Sequence, residues 1–478
     1  MTYFEGFVST VRGLHGYESL MPSHYISIIF LLFSSFLMGC GNSTGLSTEE
    51  LETSVASMTR TDVTESSDDG VGSRDIVDRS QGYGSALQSA IMKNQEFAAA
   101  VRRYRGAVAS IEVAESARRP QITTSATAGG IFEGGDISET SSGVAGNISL
   151  SQLIYDGGQT RADIAGATAQ AFAARANIAV TGNEVGRDAA LAWIDLWQAN
   201  AQIALLQERI NEISPSLDRL ERLISSGIVD RAVLAAAQRQ FLDLKLEEDN
   251  LQASQRDAQE RFNRYYGERP RSIPAPQRLF SDAELAQTAN TWPDSPALIA
   301  AAGELIAAER AVDAAQAELR PTVNLRTGGN SPLGENDEPD FNVGVVLQYT
   351  LGDGGRRESE IKRLSKQLQA DRATFEDTKS ATRVEVETSL ARHRALRKNI
   401  PTLKDQIQEL DVERSTLRSQ ITSGQSDFRR LIEAEILYYR TRSRLIEIRG
   451  ELAAMEINMV STTGQLVEKL GINIKAIP

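Results

Sequence analysis

Residues 203–224, IALLQERINEISPSLDRLERLI, carry the pattern that decides the fold. Their apolar positions recur at alternating spacings of three and four: Ile203, Leu206, Ile210, Ile213, Leu217, Leu220 and Ile224. The same pattern returns 197 positions later in residues 400–421, IPTLKDQIQELDVERSTLRSQI, where Arg414 is the one exception. This alternation averages 3.5 residues per turn, the repeat of a left-handed coiled coil. The sequence therefore predicts an internal duplication built on very long helices.

Each long periodic stretch ends at a short polar break at the same offset. The breaks are Ser225-Ser226-Gly227 and Thr422-Ser423-Gly424, and a second periodic run follows each, from about Leu234 and Leu431. Each copy should therefore contain a hairpin of two long helices. Pro215 and Pro401 lie inside the first helix of each hairpin and predict a local kink there.

Composition excludes several classes of function. The chain of 478 residues carries a net charge of −13, which disfavours a nucleic-acid partner because binding a polyanion needs a basic surface. Among its three histidines, His393 lies between Arg392 and Arg394 in a charged helical stretch that we interpret as solvated. The sequence shows no phosphate-binding loop and no cluster of metal ligands, so we expect no enzyme, no cofactor and no metal.

The N-terminal region has the features of an export signal. Ile26–Met38 is a mostly apolar run too short to span a bilayer as a helix but long enough for the hydrophobic part of a signal peptide. It ends Leu37-Met38-Gly39-Cys40, which resembles the lipobox of bacterial lipoproteins, so Cys40 is the expected lipid anchor. The alternative is a free cysteine in an ordinary signal peptide. Translation could begin at Met1 or Met21.

Strand-like segments follow the first helix of each copy. In copy one these are residues 121–132 and 144–155, and in copy two 322–327 and 341–351. The last of them alternates strictly, with apolar Phe341, Val343, Val345, Leu347, Tyr349 and Leu351. Period two over about 11 residues fits a membrane barrel strand with lipid on one side and water on the other, although a half-buried strand of a soluble sheet remains open.

Two matched corners connect these strands to the long helices. They are Asp156-Gly157-Gly158 and Asp353-Gly354-Gly355, again 197 positions apart. We expect the boundaries to be residues 1–40 for the signal, 41–83 for a disordered tether, 84–267 for the first repeat, 268–294 for a linker, 295–472 for the second repeat and 473–478 for a tail. The helices that open the repeats should cover residues 84–118 and 295–319.

The duplicated pattern resembles the TolC-type outer-membrane efflux and secretion channel family. The resemblance rests on residues 150–161, LSQLIYDGGQTR, on their second form in residues 346–356, VLQYTLGDGGR, and on the two Ser-Gly tips. It implies a mainly α protomer with a small membrane β part: duplicated antiparallel coiled-coil helices and four strands. Three protomers would complete a 12-stranded barrel and a helical tunnel across the periplasm.

The resemblance also implies the partners and the site residues. Gly227 and Gly424 match the helix-hairpin tips that meet a periplasmic membrane-fusion adaptor, which in turn joins an inner-membrane transporter. Of the two positions that match acidic entrance residues of the family, Glu433 keeps the acid and Arg430 replaces it. Asp230 and Asp427 follow the tip glycines by three residues, and either complement a helix dipole or face the pore or adaptor.

Two classes of function remain after this comparison. The leading hypothesis is a passive exit duct of a tripartite efflux pump or type I secretion system. The alternative is a surface-tethered coiled-coil scaffold, which would share the anchor and the long helices but would have no use for four amphipathic strands. Export cargo, adaptor and pump are not identified by the sequence.

Overall fold

The computed structural model describes residues 82–132, 140–225, 231–331, 339–422 and 428–474. Within these ranges the chain is mainly helical and contains one four-stranded sheet. The first half comprises α1 (Tyr83–Met92), α2 (Gln95–Ser116), β1 (Gln121–Phe132), β2 (Thr140–Tyr155), α3 (Gln159–Ser225) and α4 (Arg231–Tyr266). After these come α5 (Asp282–Ala289), α6 (Pro296–Ala317), β3 (Thr322–Ser331), β4 (Asp340–Gln348), α7 (Arg356–Thr422), α8 (Phe428–Thr462) and α9 (Gln465–Lys469).

The two copies of the duplication have matching elements. Helices α2 and α6 each contain 22 residues, and α3 and α7 each contain 67. At 1.5 Å per residue, α3 and α7 are each about 100 Å long. Both helices continue through Pro215 and Pro401. The sequence-based prediction of duplicated long helices is therefore confirmed.

The coiled-coil spacing reappears in the burial pattern. On α7, the side chains that turn inward stand at alternating spacings of four and three along residues 382–417, while the other side chains in this range, except the half-buried Leu390, are exposed. The half-buried and buried positions include Leu403, Ile407, Leu410, Arg414 and Leu417. On α3, Leu206 is fully buried and packs with Leu244 of α4 and Tyr439 of α8. The apolar seam thus joins the hairpins of both copies.

The largest core lies where α1, α3 and α4 meet the segment that links the two copies. Trp193 is buried at its centre and packs edge-on against Tyr83 and Tyr266, with ring centroids 5.2 and 5.6 Å away. The indole N–H donates to the carbonyl of Pro274 at 3.0 Å. The core therefore fixes the linker segment against the long helices.

Several boundaries differ from the sequence-based expectation. The predicted helix 84–118 is two helices, because Asn94 accepts hydrogen bonds from the N–H groups of Glu96 and Phe97 and so starts a new helix. The predicted linker contains the ordered helix α5, whose Leu285 is buried. Strand β3 extends to Ser331, beyond its predicted end.

Strand β4 is shorter than the alternation predicted. It ends at Gln348, which lies opposite Thr322, the first residue of β3. Beyond Gln348 the chain has no partner on β3, because the residue before Thr322 is Pro321, which has no N–H to donate to the ladder. The carbonyl of Thr350 accepts a hydrogen bond from Arg357 instead, and Leu351 lies outside the strand.

Candidate functional site in the open sheet and the helical shaft

The four strands form one antiparallel sheet in the order β1-β2-β3-β4. Residues directly opposite each other in such a sheet point to the same face. One row across the sheet comprises Ile122, Leu150, Thr327 and Val343. The adjacent row comprises Thr123, Ser149, Gly328 and Asn342. The sheet therefore has one mainly apolar face and one mainly polar face.

The apolar face is not covered by other parts of the described chain. Six of its residues are 57–80% exposed: Ile122, Ile148, Phe341, Val343, Val345 and Leu347. Leu150 and Leu325 on the same face are half-buried. A soluble protein rarely leaves so large a contiguous apolar area in water. The polar face carries Arg326, which lies opposite Ser151 and Gly344. This arrangement suits a sheet with lipid on one side and water on the other.

The four strands and the four helices connected to them, α2, α3, α6 and α7, are arranged side by side in the same order, and both layers are open at the same two edges. Strands β1 and β4 lie at the two edges of the sheet. Below the sheet, α2 packs on α3, α3 packs on α6, and α6 packs on α7. The first element of this helical layer precedes β1 and the last follows β4. A neighbour that completes one layer would therefore complete the other as well.

Each strand-to-helix corner is closed by its aspartate. Asp156 Oδ1 accepts from the Gly158 N–H at 2.9 Å and Oδ2 accepts from the Thr160 N–H at 2.6 Å. Burial would raise the pKa of Asp156, but hydrogen bonds from Thr160 and Gly158 lower it overall. The following glycines adopt positive φ, 70° at Gly157 and 99° at Gly158, which other residues rarely do. Here the aspartate caps the long helix.

The second corner repeats this cap and adds an arginine. Asp353 accepts from the N–H groups of Gly355 and Arg357, both at 3.1 Å. Arg357 Nε also donates to Asp353 Oδ2 at 2.7 Å, and this hydrogen bond lowers the pKa of Asp353. Arg357 further donates to the carbonyls of Glu318 and Thr350. Arg357 therefore ties α7 to the end of α6 and to the chain after β4.

An ionic cluster lies between the long helices α3, α7 and α8, towards the hairpin ends. Here the seam of α7 carries Arg414 in place of an apolar residue. Its Nη1 lies 2.7 Å from Glu212 Oε2 of α3 and 3.1 Å from Glu435 Oε2 of α8. The guanidinium also lies over the ring of Tyr438, 4.1 Å from the centroid. Burial alone would lower the pKa of Arg414, but Glu435 and its other acidic neighbours raise it. The exception in the sequence pattern is thus an ion pair between the two hairpins.

His393 is buried, contrary to the expectation of a solvated face. Its Nε2 lies 3.2 Å from Glu456 Oε1 of α8, and Arg278 Nε donates to the same oxygen at 3.0 Å. The three-four spacing read backwards from Ile400 passes through Leu396 and His393, so extending the seam would have placed this side chain inside. The charged neighbours Arg392 and Arg394 therefore led to the wrong prediction that His393 is exposed to solvent.

The predicted tip residues cannot be placed. Gly227, Asp230, Gly424 and Asp427 lie outside the described residues, as does the expected anchor Cys40. Arg430 and Glu433 are exposed on the first turns of α8. The roles assigned to these residues stay predictions.

Two further features bear on the class of the protein. Across the described ranges, no group of three or more His, Cys, Asp or Glu side chains is arranged to hold a metal ion. In the same ranges, none of the helices combines the length and apolar character needed to cross a membrane.

Comparison with known proteins identifies the family. The family described as outer membrane efflux protein matches residues 86–268 and 293–465. The chain is 22% identical over 374 residues to the outer membrane efflux protein BepC of Brucella suis biovar 1 (strain 1330), covering 76% of this chain and 81% of BepC.

Solved structures share the fold. VceC from Vibrio cholerae superposes with a TM-score of 0.72 at 17% identity, covering 80% of this chain and 96% of VceC. The CmeC outer membrane channel of Campylobacter jejuni superposes with a TM-score of 0.71 at 13% identity, covering 84% of this chain and 90% of CmeC. The amphipathic sheet, the duplicated shaft and the family match over most of the chain agree, and this protein belongs to the outer membrane efflux protein family.

Proposed function

We propose that three copies of this outer-membrane efflux protein close into one passive exit duct. Four strands from each copy would form a twelve-stranded barrel in the outer membrane, and the long helices would continue it as a tunnel into the periplasm. Four strands alone cannot close, since the smallest membrane barrels have about eight. An open strand edge in lipid would leave backbone groups unpaired at several kcal/mol each.

One observation carries this proposal: the sheet and the helical layer leave the same two edges free. A neighbouring copy that pairs β4 with β1 also brings α7 beside α2. The polar face with Arg326 would line the lumen, and the apolar face with Val343 and Val345 would contact lipid. Closed in this way, the protein supplies a passage and catalyses no reaction.

The partners follow from the family resemblance and the position of the hairpins. A periplasmic adaptor would contact the tips at Gly227 and Gly424, and an inner-membrane transporter would supply the energy. Acyl chains on Cys40 would add a second attachment to the outer membrane. A tripartite efflux pump and a type I secretion system are both compatible with this geometry.

The duct is tested by electrical recording from purified protein. Detergent-extracted oligomer added to a planar bilayer should give discrete conductance steps, and its mass should equal three chains. A silent bilayer with intact trimer would contradict the duct, and a soluble monomer would support the scaffold alternative. At the tip, Gly424→Arg should abolish export without lowering the amount of trimer, whereas unchanged export would contradict the adaptor contact.

A further inference from the structure

The chain contains a template for the contact between neighbouring copies. Where the first repeat meets the second, β2 pairs with β3, and Ile148 lies opposite Gly329. At the end of these strands, Arg320 Nη1 donates to the carbonyl oxygen of Gly157 at 2.6 Å. The arginine lies so close that a Cβ added at Gly157 would be 2.6 Å from the Arg320 Cβ. Glycine at this corner therefore has a packing role besides its backbone angle.

Each half of this contact has an equivalent elsewhere in the chain. Arg119-Pro120 precedes β1 as Arg320-Pro321 precedes β3, and the helices before them, α2 and α6, have equal lengths. The corner Gly354 follows β4 as Gly157 follows β2, with φ of 67° and 70°. The equivalent of the Arg320–Gly157 contact is therefore Arg119 with Gly354.

Within a single protein molecule, Arg119 lies at the β1 edge of the sheet and Gly354 lies at the β4 edge, so the two residues do not meet. A Cβ added at Gly354 would meet no atom within 4 Å, in contrast to Gly157. The Arg119 side chain, in the turn after α2, is 65% exposed and lies 3.8 Å from Glu115 in the last turn of that helix. Within the described part of the chain, one edge thus presents an open corner and the other presents the arginine that fills such a corner.

We propose that Arg119 of one copy donates to the Gly354 carbonyl of the next copy, and that β4 and β1 pair with Val345 opposite Ala128. The register comes from the internal pair: Ile148 corresponds to Val345, and Gly329 corresponds to Ala128. This inference rests on the proposed closed assembly and adds the residues that determine its register.

The proposed register passes an independent check. Val345 and Leu347 belong to the apolar face of β4, and Ala128 and Ala126 belong to the same face as Ile122 on β1. In this register Val345 lies opposite Ala128 and Leu347 lies opposite Ala126. The apolar face therefore continues across the junction. A slip by one residue would place polar positions against lipid.

Disulfide trapping tests the register in the full-length protein. Ala128→Cys with Val345→Cys should cross-link between copies after oxidation, because directly opposed positions lie within disulfide reach. Ala128→Cys with Leu347→Cys is the matched control, since diagonal positions lie about 7–8 Å apart. Each single-cysteine variant controls for pairing with Cys40. More adduct from the control pair than from the proposed pair would overturn the register.

A matched pair of glycine variants tests the corner. Gly354→Ala and Gly355→Ala impose a side chain at similar positive φ, 67° and 85°, but only position 354 would meet the neighbouring arginine. We expect Gly354→Ala and Arg119→Gln each to weaken association about tenfold or more per interface, and Gly355→Ala to retain the trimer. Equal trimer stability in the two alanine variants would overturn the contact. Failure of the unmodified protein to form any trimer would instead contradict the proposed duct.

Discussion

Arg414 of α7 and Glu212 of α3, 202 positions apart in sequence, form an ion pair of 2.7 Å inside the helical shaft. The same guanidinium binds Glu435 of α8, so one side chain joins both hairpins of the duplicated fold. The Arg414 side chain is 11% exposed, which leaves little water to screen its charge.

Arg414→Leu should therefore destabilise the protein even though it restores the apolar spacing of the seam. Removal of Arg414 leaves the half-buried Glu435 with only the more exposed Arg418 as a counter-charge, which should cost about 1–3 kcal/mol. Arg418→Ala is the matched control, because Arg418 contacts the same two glutamates but is 46% exposed. Thermal unfolding followed by circular dichroism measures both. An Arg414→Leu variant as stable as the parent would show that the ion pair does not hold the hairpins together.

The seam shows how far the sequence could predict the interior. Spacing alone identified the inward positions of α7 and, on α3, those from Ile203 to Ile213, because a helix in a coiled coil repeats its buried face every 3.5 residues. It could not supply the partners of Arg414, since Glu212 and Glu435 belong to other helices. His393 is buried, as its position in the three-four spacing requires, although the adjacent Arg392 and Arg394 had suggested an exposed face. Burial on a long helix is thus decided by position in the repeat more than by local charge.

The corners show the same division. The repeated Asp-Gly-Gly sequences lie where a strand gives way to a long helix, and the aspartate hydrogen bonds and positive-φ glycines there are local requirements that a sequence can display. The contact of Arg320 with Gly157 forms where the first sequence repeat packs against the second within one chain. The two residues are far apart in sequence, so no local pattern could predict this contact. Likewise, β4 ended before its alternation did, because its partner strand began after Pro321.

Trp193→Ala should be among the most destabilising single substitutions in the core. The indole is 1% exposed and contacts the rings of Tyr83, Phe262 and Tyr266. Loss of this volume, together with its hydrogen bond to Pro274, should cost about 3–5 kcal/mol. The midpoint of thermal unfolding measures the effect. Trp193→Phe should retain part of the stability, and a midpoint unchanged by alanine would contradict the assignment of this cluster as the main core.

Gly157→Ala should lower the stability of the single chain, because its new Cβ would overlap Arg320. Gly158→Ala is the matched control: Gly158 also has positive φ, but its Cβ would meet no atom within 4 Å. Both substitutions carry the backbone cost of a non-glycine residue, so their difference isolates the clash. Unfolding of detergent-solubilised monomer in denaturant measures this difference. Equal loss of stability in the two variants would show that Arg320 moves aside freely.

Glu284 should confer stability that depends on pH. A hydrogen bond from Lys469, 2.7 Å away, and others from Ser281 lower the pKa of Glu284 to about 2 from its usual 4.5. A carboxyl whose pKa is depressed on folding stabilises the native state above its unfolded pKa. That contribution is lost as pH falls from 4.5 towards 2. The stability difference between parent and Glu284→Gln should be present at pH 7 and vanish near pH 2. A difference independent of pH would contradict this assignment.

Arg326 should influence which ions pass through the assembled barrel. It lies on the polar face of β3, with Ser151 and Gly344 opposite, so closure would place one arginine per copy in the lumen. A ring of fixed positive charge raises the local concentration of anions, and its reversal favours cations. Arg326→Glu should therefore shift the reversal potential in a salt gradient towards the cation equilibrium potential.

The neutral variant Arg326→Gln should give an intermediate reversal potential, because it removes the charge without inverting it. Asp340, the first residue of β4, lies on the same polar face as Arg326 and opposite Asn330. Asp340→Asn should shift the potential in the opposite direction from Arg326→Glu, which separates the sign of the charge from any general effect of substitution. If all three variants kept the parent's reversal potential, the polar face could not line the conducting path, and the sheet would have to close with its opposite face inward.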